Sequence, residues 1–210
     1  PGSRGSQCFG GGGPQHVEVA GGADRVDVAQ QRARQLKAPF TELLAVLEGV
    51  HPPSVHRLAP PATEAEIATL ENWLGAVVPS EAREVYALHN GQADQFAVGC
   101  IFDRTLLSIS QALFDLSVHH DIRSAKTSNY EIDEDERVSE SFPSAGHVPI
   151  LSDLTGNFIG YDVRPSARGR FGQVLVFGAD VDTRVVFDSI PELWGALVAE
   201  LHAGNWTLRE

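Results

Sequence analysis

Two short polar segments constrain this chain more than any other feature. Asp153-Leu154-Thr155-Gly156-Asn157 separates the apolar runs Val148–Ser152 and Phe158–Val163. Gly178-Ala179-Asp180-Val181-Asp182 separates Gln173–Phe177 from Thr183–Phe187. Gly, Asn and Asp between two β-rich runs reverse the chain tightly, so each set predicts an antiparallel hairpin. Such turns are too short to hold a crossover helix. This half of the chain therefore pairs its strands by turns, not by helices.

Helical patterns lie on both sides of the hairpins. Leu36, Phe40, Leu43, Leu44 and Leu47 recur at spacings of three and four, which predicts a helix from about Val28 to Glu48, stopped by Gly49. Pro39 either splits it or marks a first turn. His51-Pro52-Pro53 and Ala59-Pro60-Pro61 predict an extended connector. Thr63-Glu64-Ala65-Glu66 is a capping box ahead of the stripe Ile67, Leu70 and Leu74, with Trp73 on its flank and Gly75 as terminator. A third helix follows Val78-Pro79, with Ser80 as N-cap and Ala82, Val85, Tyr86 and Leu88 on its apolar side, and stops at Asn90-Gly91. Gln95–Phe102 and Leu106–Ile109 read as strands and Gln111–Leu116 as a short helix. Ser189-Ile190-Pro191-Glu192 opens a closing helix that carries Leu193, Trp194, Leu197, Val198 and Leu201 inward and ends at Gly204. The plan is α+β: a central antiparallel sheet of about five to six strands, flanked by N-terminal helices and a C-terminal helix.

Composition narrows the classes of function. Of 210 residues, 42% are hydrophobic, enough for a core, and the formal charge is −12. Nucleic acid and anionic membrane surfaces both call for clustered Lys and Arg, so neither is expected as a partner. No apolar run approaches the length of a spanning helix, and the first 30 residues lack the plan of a secretory signal, so a soluble, cytoplasmic chain is expected. Residues 1–30 are Gly-rich without apolar periodicity and read as a flexible arm or cloning remnant. Residues 31–210 then form a single domain, with an acidic insertion near 121–147. The chain starts at Pro1 and has no Met, which reads as a trimmed or fused product or a fragment of a longer reading frame. Cys8 and Cys100 differ too much in context to predict a disulfide, and Cys100 reads as a small buried hydrophobe.

Three stretches together resemble the SUKH superfamily, which includes fungal cell-wall assembly regulators and bacterial immunity proteins of toxin systems. They are Leu58–Gly75 with its capping box, Val78-Pro79-Ser80 through His89-Asn90-Gly91-Gln92, and Val148-Pro149 through Gly156-Asn157 to Asp162. The resemblance covers about residues 36–206. It implies that Pro79, His89, Asn90, Gly91, Pro149, Gly156, Asn157 and Asp162 are scaffold positions. Many relatives carry Trp before the Val/Ile-Pro pair. Here it is His147, which implies the loss of an aromatic anchor.

Candidate chemistry is sparse. His119-His120-Asp121 is the most ligand-like cluster, but adjacent residues do not face one way, and a solvated loop edge is the simpler reading. A metal-dependent hydrolase using these three is the remaining enzymatic alternative. His51 and His56 read as surface residues, and His89 as a helix-end residue. Asp153 reads as a turn former whose side chain bonds the backbone, more simply than as an acid–base partner of Asp162. Arg164, Arg168 and Arg170 read as a solvated loop rather than an anion site. The acidic block holding Glu131, Asp133, Glu134, Asp135 and Glu136 reads either as a self-repelling loop or as an electrostatic arm for a basic partner. With Asp153, these residues are the candidate partner-binding set. No catalytic set, cofactor or metal is expected. The resemblance and the charge together imply a non-enzymatic binding protein, most simply an immunity protein covering a basic toxin domain. The alternative is a regulatory or scaffold protein of cell-wall assembly or signalling.

Overall fold

A computed structural model describes residues 39–94, 101–124 and 135–204. All of them belong to the unit Arg34–Glu210. The predicted arm, both cysteines and residues 95–100 of the predicted strand Gln95–Phe102 lie outside the described residues; Ile101 makes only an isolated bridge to Arg104, and Phe102 is in a turn. The elements, in order, are helix α1 (residues 39–50 of those described), α2 (Pro52–His56), α3 (Glu64–Leu74), α4 (Ser80–Leu88), β1 (Thr105–Leu106), α5 (Ile109–Ser124), β2 (His147–Ser152), β3 (Asn157–Asp162), β4 (Val174–Gly178), β5 (Arg184–Phe187) and α6 (Ile190–His202). Among the described residues, six helices and five strands make the predicted α+β arrangement.

The sheet is an antiparallel meander in the order β1-β2-β3-β4-β5. Both predicted hairpins are present: Phe158 pairs with Ser152 across the first turn, and Val185 with Leu175 across the second. Pro149 sits in β2 beside a register shift between Pro149 and Leu151. Proline has no N–H for the ladder, and a bulge is where a strand tolerates that loss. Gly160 faces Pro149, and a Cβ there would lie 2.0 Å from the Val148 carbonyl oxygen. Only glycine lets the two strands approach this closely.

Alternation along the strands sends side chains to two faces. Val148, Ile150, Tyr161 and Val174 join the main core with Phe40, Leu43 and Leu47 of α1, Ile67, Leu70 and Leu74 of α3, Val85 and Tyr86 of α4, and Leu193, Trp194 and Val198 of α6. Phe40 packs its ring on Trp194 with centroids 4.9 Å apart. Phe158, Leu175, Phe177 and Val185 form a second, smaller core with Leu107 and Phe142. Phe142 belongs to the segment after the acidic block, so this segment helps to cover the sheet's second face.

Several boundaries differ from the sequence reading. The His51–Pro61 connector is not extended throughout. Pro52 and Pro53 fill the first turn of α2, where a missing N–H costs nothing. Pro79, not Ser80, is the N-cap of α4. That helix stops when His89 turns to extended backbone, and the left-handed residue, Gly91, comes two positions later. Leu106–Ile109 is a strand only at Thr105–Leu106. Ile109 already belongs to α5, which runs to Ser124 rather than Leu116. Ser108 and Gln111 explain the early start. The Ser108 N–H donates to Gln111 Oε1 at 2.7 Å, and the Gln111 N–H donates to Ser108 Oγ at 3.3 Å. That is a second capping box. At α6 the box is incomplete, because Ser189 makes no side-chain cap and Glu192 accepts from the Asp188 N–H instead.

Gly160→Ala is expected to destabilise the chain by about 3 kcal/mol or more, because the added methyl meets backbone that cannot give way. Urea unfolding followed by circular dichroism measures it. Gly195→Ala, with nothing within 4 Å of the new carbon, is the control and is expected to be neutral or slightly stabilising.

Candidate functional site

His89-Asn90-Gly91 forms the corner where the helical layer turns into the sheet. His89 Nδ1–H donates to the Ala59 carbonyl at 2.9 Å, which sets its tautomer. Asn90 uses both ends of its amide. Nδ2 donates to Glu66 Oε1 at 2.9 Å, and Oδ1 accepts from the Ile109 N–H at 2.9 Å. Its backbone N–H donates to Pro60 O. Glu66 is the carboxylate of the first capping box, where the Thr63 N–H reaches Glu66 Oε2 at 2.7 Å and the Glu66 N–H reaches Thr63 Oγ1 at 3.2 Å. The bond from the Thr63 backbone, then that from its hydroxyl, holds the Glu66 carboxyl below its ordinary pKa. Gly91 has φ +78°, and a Cβ on it would lie 2.2 Å from the Ser108 nitrogen. Pro79 is buried as the cap of α4. These motif residues bond to one another and to the backbone.

The hairpin motif is likewise internal. Asp153 Oδ1 accepts from the Thr155 and Asn157 N–H groups at 2.8 and 3.1 Å, and Oδ2 accepts from Asn157 Nδ2 at 3.0 Å. Partial burial pushes the Asp153 carboxyl up, but these bonds outweigh it and hold the pKa below the usual value. Leu154 and Gly156 both take positive φ in this turn. Asn157 Oδ1 also accepts from the Asp180 N–H at 3.0 Å, tying the two hairpins together. Asp162 stands at the far end of β3 from Asp153 and is fully buried. It accepts from the Arg164 N–H at 2.8 Å and from Gln173 Nε2 at 3.0 Å. Burial pushes its carboxyl up against those bonds. The two carboxylates therefore do not form an acid–base pair.

The largest departure from the sequence reading concerns the histidines. His119 is not on a loop edge. It lies on α5, is 5% exposed, and packs edge-on against Phe142 and Phe158 at 4.6 and 5.3 Å. His120 and Asp121 are exposed, so the three groups do not converge. Among the described residues, no group of three or more His, Cys, Asp or Glu side chains is placed to hold a metal ion. His147 is 1% exposed with its ring 5.4 Å from Phe177. It thus fills an aromatic position rather than leaving one empty. His119 Nδ1 and both His147 nitrogens meet no hydrogen-bond partner among the described residues. Burial lowers the pKa of each imidazole to about 4. At His147, Glu140 opposes that shift while His119 and Arg123 add to it.

The acidic block divides. Glu131, Asp133 and Glu134 lie outside the described residues. Asp135 is engaged internally: its Oδ1 accepts from Arg137 Nε at 2.9 Å, and its Oδ2 accepts from Arg137 Nη2 at 2.9 Å and from the Val185 N–H at 3.0 Å. Exposed Glu136 pairs with Arg168. Arg164 Nη2 donates to the Leu74 carbonyl at 2.7 Å, at the end of α3, and Arg170 approaches Asp188 at 3.5 Å. Each arginine of the 164–170 loop is therefore matched within the chain. Exposed His56 meets Glu48 at 3.1 Å, and His51 Nδ1 lies 2.8 Å from Ser54 Oγ. Gln173 and Arg137 carry the internal polar network; Gln173 lies in Gly172-Gln173-Val174, a piece of the resemblance, while no motif in the sequence pointed to Arg137. The Ser108–Gln111 box did have a readable signal, the Ser-x-x-Gln spacing.

The geometry defines an α+β domain in which the residues that carry the resemblance form corners, caps and turns. The sequence pattern of the SMI1 / KNR4 family (SUKH-1) matches residues 61–194, and the chain belongs to that family. It is 28% identical over 164 residues to the cell wall biosynthesis/cell cycle regulator smi1 of Schizosaccharomyces pombe, covering 71% of this chain and 32% of that protein. It is 40% identical over 65 residues to the cell wall assembly regulator SMI1 of Saccharomyces cerevisiae, covering 29% of this chain and 12% of that protein. The glucan synthesis regulatory protein of Neurospora crassa is 31% identical over 77 residues, covering 35% of this chain and 14% of that protein. The chain thus spans about a third or less of the length of these relatives, which are named regulators rather than enzymes. No helix among the described residues is long and apolar enough to cross a membrane.

Two predictions follow from this geometry. Asn90→Ala leaves the Ile109 N–H without its acceptor and is expected to cost about 2 kcal/mol in urea unfolding. Stability is also expected to fall as pH drops from about 6.5 toward 4. The unfolded imidazoles take protons first, and the folded state resists until about pH 4. Asp115, pushed up to about 6 by burial, works the other way, because protonation relieves it over the same range. His147→Phe is therefore expected to flatten the pH dependence by about 2 kcal/mol, read from urea midpoints at successive pH values.

Proposed function

We propose that this chain is a non-enzymatic protein-binding domain that regulates cell-wall assembly or its signalling by contact with protein partners in the cytoplasm. One observation carries the reading: the residues that carry the resemblance are taken up by internal bonds and close packing. Asn90, Asn157 and Asp162 bond inward, Gly91 packs against the Ser108 backbone, and Asp153 of the candidate partner-binding set also bonds inward, which leaves the outer surface for a partner. Motifs of this kind mark a shared platform more than a shared reaction. The names of the fungal relatives support wall regulation over toxin neutralisation. The immunity reading draws on the resemblance, the lack of a catalytic set and the acidic charge, and Asp135 and Glu136 direct part of that charge to arginines of the same chain. The acidic stretch at Glu131, Asp133 and Glu134 is kept in this proposal as a contact for basic partner surfaces.

Cells lacking the gene are expected to become hypersensitive to an inhibitor of glucan synthesis. The full chain is expected to restore resistance, and Gly91→Arg, which the corner cannot hold, is expected not to. Normal resistance in the deletion strain would count against wall regulation. Protection of cells against the product of a neighbouring gene on co-expression would favour the immunity reading.

A further inference from the structure

α5 is apolar on both sides. Ile109, Ala112 and Leu116 turn inward and are buried. Phe114 and Val118, one turn apart on the outer side, are 67% and 38% exposed. Phe114 is the most exposed large hydrophobic side chain among the described residues. One apolar side chain in water is ordinary, but a surface helix normally turns a polar face outward.

Carboxylates border this apolar pair. Asp115, Val118 and Asp121 follow one another at three-residue spacing, so they form one row along about 9 Å of the helix. Asp121 is exposed, whereas Asp115 is half-buried. Asp115 makes no hydrogen bond or ion pair among the described residues, and burial pushes its carboxyl up to about 6. At neutral pH it is still an anion, held partly out of water with no cation opposite it, which is costly. α5 supplies no cation for it. The helix has no Lys, and its one Arg, Arg123, is bound to Glu140. A cation brought by another molecule recovers that cost, and an exposed aromatic ring beside a desolvated charge suits the centre of an interface.

We propose that the outer face of α5 is a docking site for a basic amphipathic helix of a protein partner, with its apolar side on Phe114 and Val118 and its Lys or Arg side chains on Asp115 and Asp121. A helix laid along α5 repeats the same spacing, so cations one turn either side of an apolar anchor meet the two carboxylates. The inference rests on the reading of this chain as a protein-binding domain and adds to it the surface used and the chemistry of the partner.

Fluorescence anisotropy of a labelled peptide titrated with the full chain tests it. The probe is a capped amphipathic helix of about 14 Leu and Lys residues, and its control carries Glu in place of each Lys. The Lys peptide is expected to bind with a Kd below about 1 mM, and the Glu peptide is expected not to bind. Phe114→Ala and Asp115→Asn are each expected to weaken binding at least about tenfold while keeping the native circular dichroism. Asp180→Asn removes the same charge from an exposed position in the β4–β5 turn and is expected to change binding less than about twofold. Asp115→Lys is expected to lose the Lys peptide and to take up the Glu peptide. No saturable binding of the Lys peptide overturns the proposal. Equal weakening by Asp180→Asn and Asp115→Asn also overturns it, because attraction by net charge then accounts for the binding. Self-association of the chain that Phe114→Ala abolishes assigns this face to a second copy and overturns it as well. The measurement needs no wall phenotype. Normal resistance in the deletion strain would sink wall regulation and leave this surface standing, and a peptide that does not bind would do the reverse.

Discussion

The amide of Asn90 joins three parts of the fold that are far apart in sequence. Its nitrogen reaches the capping carboxylate of α3, its oxygen receives the first N–H of α5, and its backbone holds the chain at Pro60. A helix end exposes unpaired N–H groups, and a buried one costs a kilocalorie or more if it has no acceptor. Asn supplies both an acceptor and a donor on a short, stiff arm. Asp would offer no donor to Glu66 and would add a like charge. Gly91 then passes so close to Ser108 that no side chain fits. From this corner the sheet runs outward strand by strand, with tight turns joining β2 to β3 and β4 to β5.

The sheet has two faces, and they are covered differently. Residues of α1, α3, α4, α5 and α6 close one with a broad apolar core. The other relies on a few aromatic rings, on His119 from α5, on His147 from β2 and on the segment that follows the acidic block. Arg123 and Glu140 tie the end of α5 to that segment through two parallel bonds, the stronger geometry for a guanidinium and a carboxylate. Neutral imidazoles serve here as flat, half-polar fillers. They pack as aromatics while uncharged, and burial keeps them so at neutral pH.

The residues that carry the resemblance fall where the backbone needs a special shape: a left-handed turn, a close approach, a bulge or a capped helix end. The outer surfaces are under none of those constraints. Regulators that share a platform and differ in partners are what such a division of labour allows. The match of residues 61–194 to the SMI1 / KNR4 family and the fungal regulators related to it fit that picture.

The sequence by itself determined what depends on local chemistry. The Thr63–Glu66 box, the left-handed Gly75 end, both hairpins and the turn-forming part of Asp153 are properties of a few adjacent residues, and they appear where the pattern placed them. Misplaced boundaries at α2, α4 and α5 came from reading prolines and apolar runs without the caps that extend or shorten a helix. What only the tertiary structure decided depends on residues distant along the chain. His119 looked like a solvated histidine because its neighbours His120 and Asp121 are polar. Its burial is decided by Phe142 and Phe158, residues that no local pattern connects to it. Asp135 looked like one charge in a repelling run until Arg137 and the Val185 backbone claimed it. Charge and polarity in a sequence record what a side chain is able to bond, and the fold decides which partner it meets.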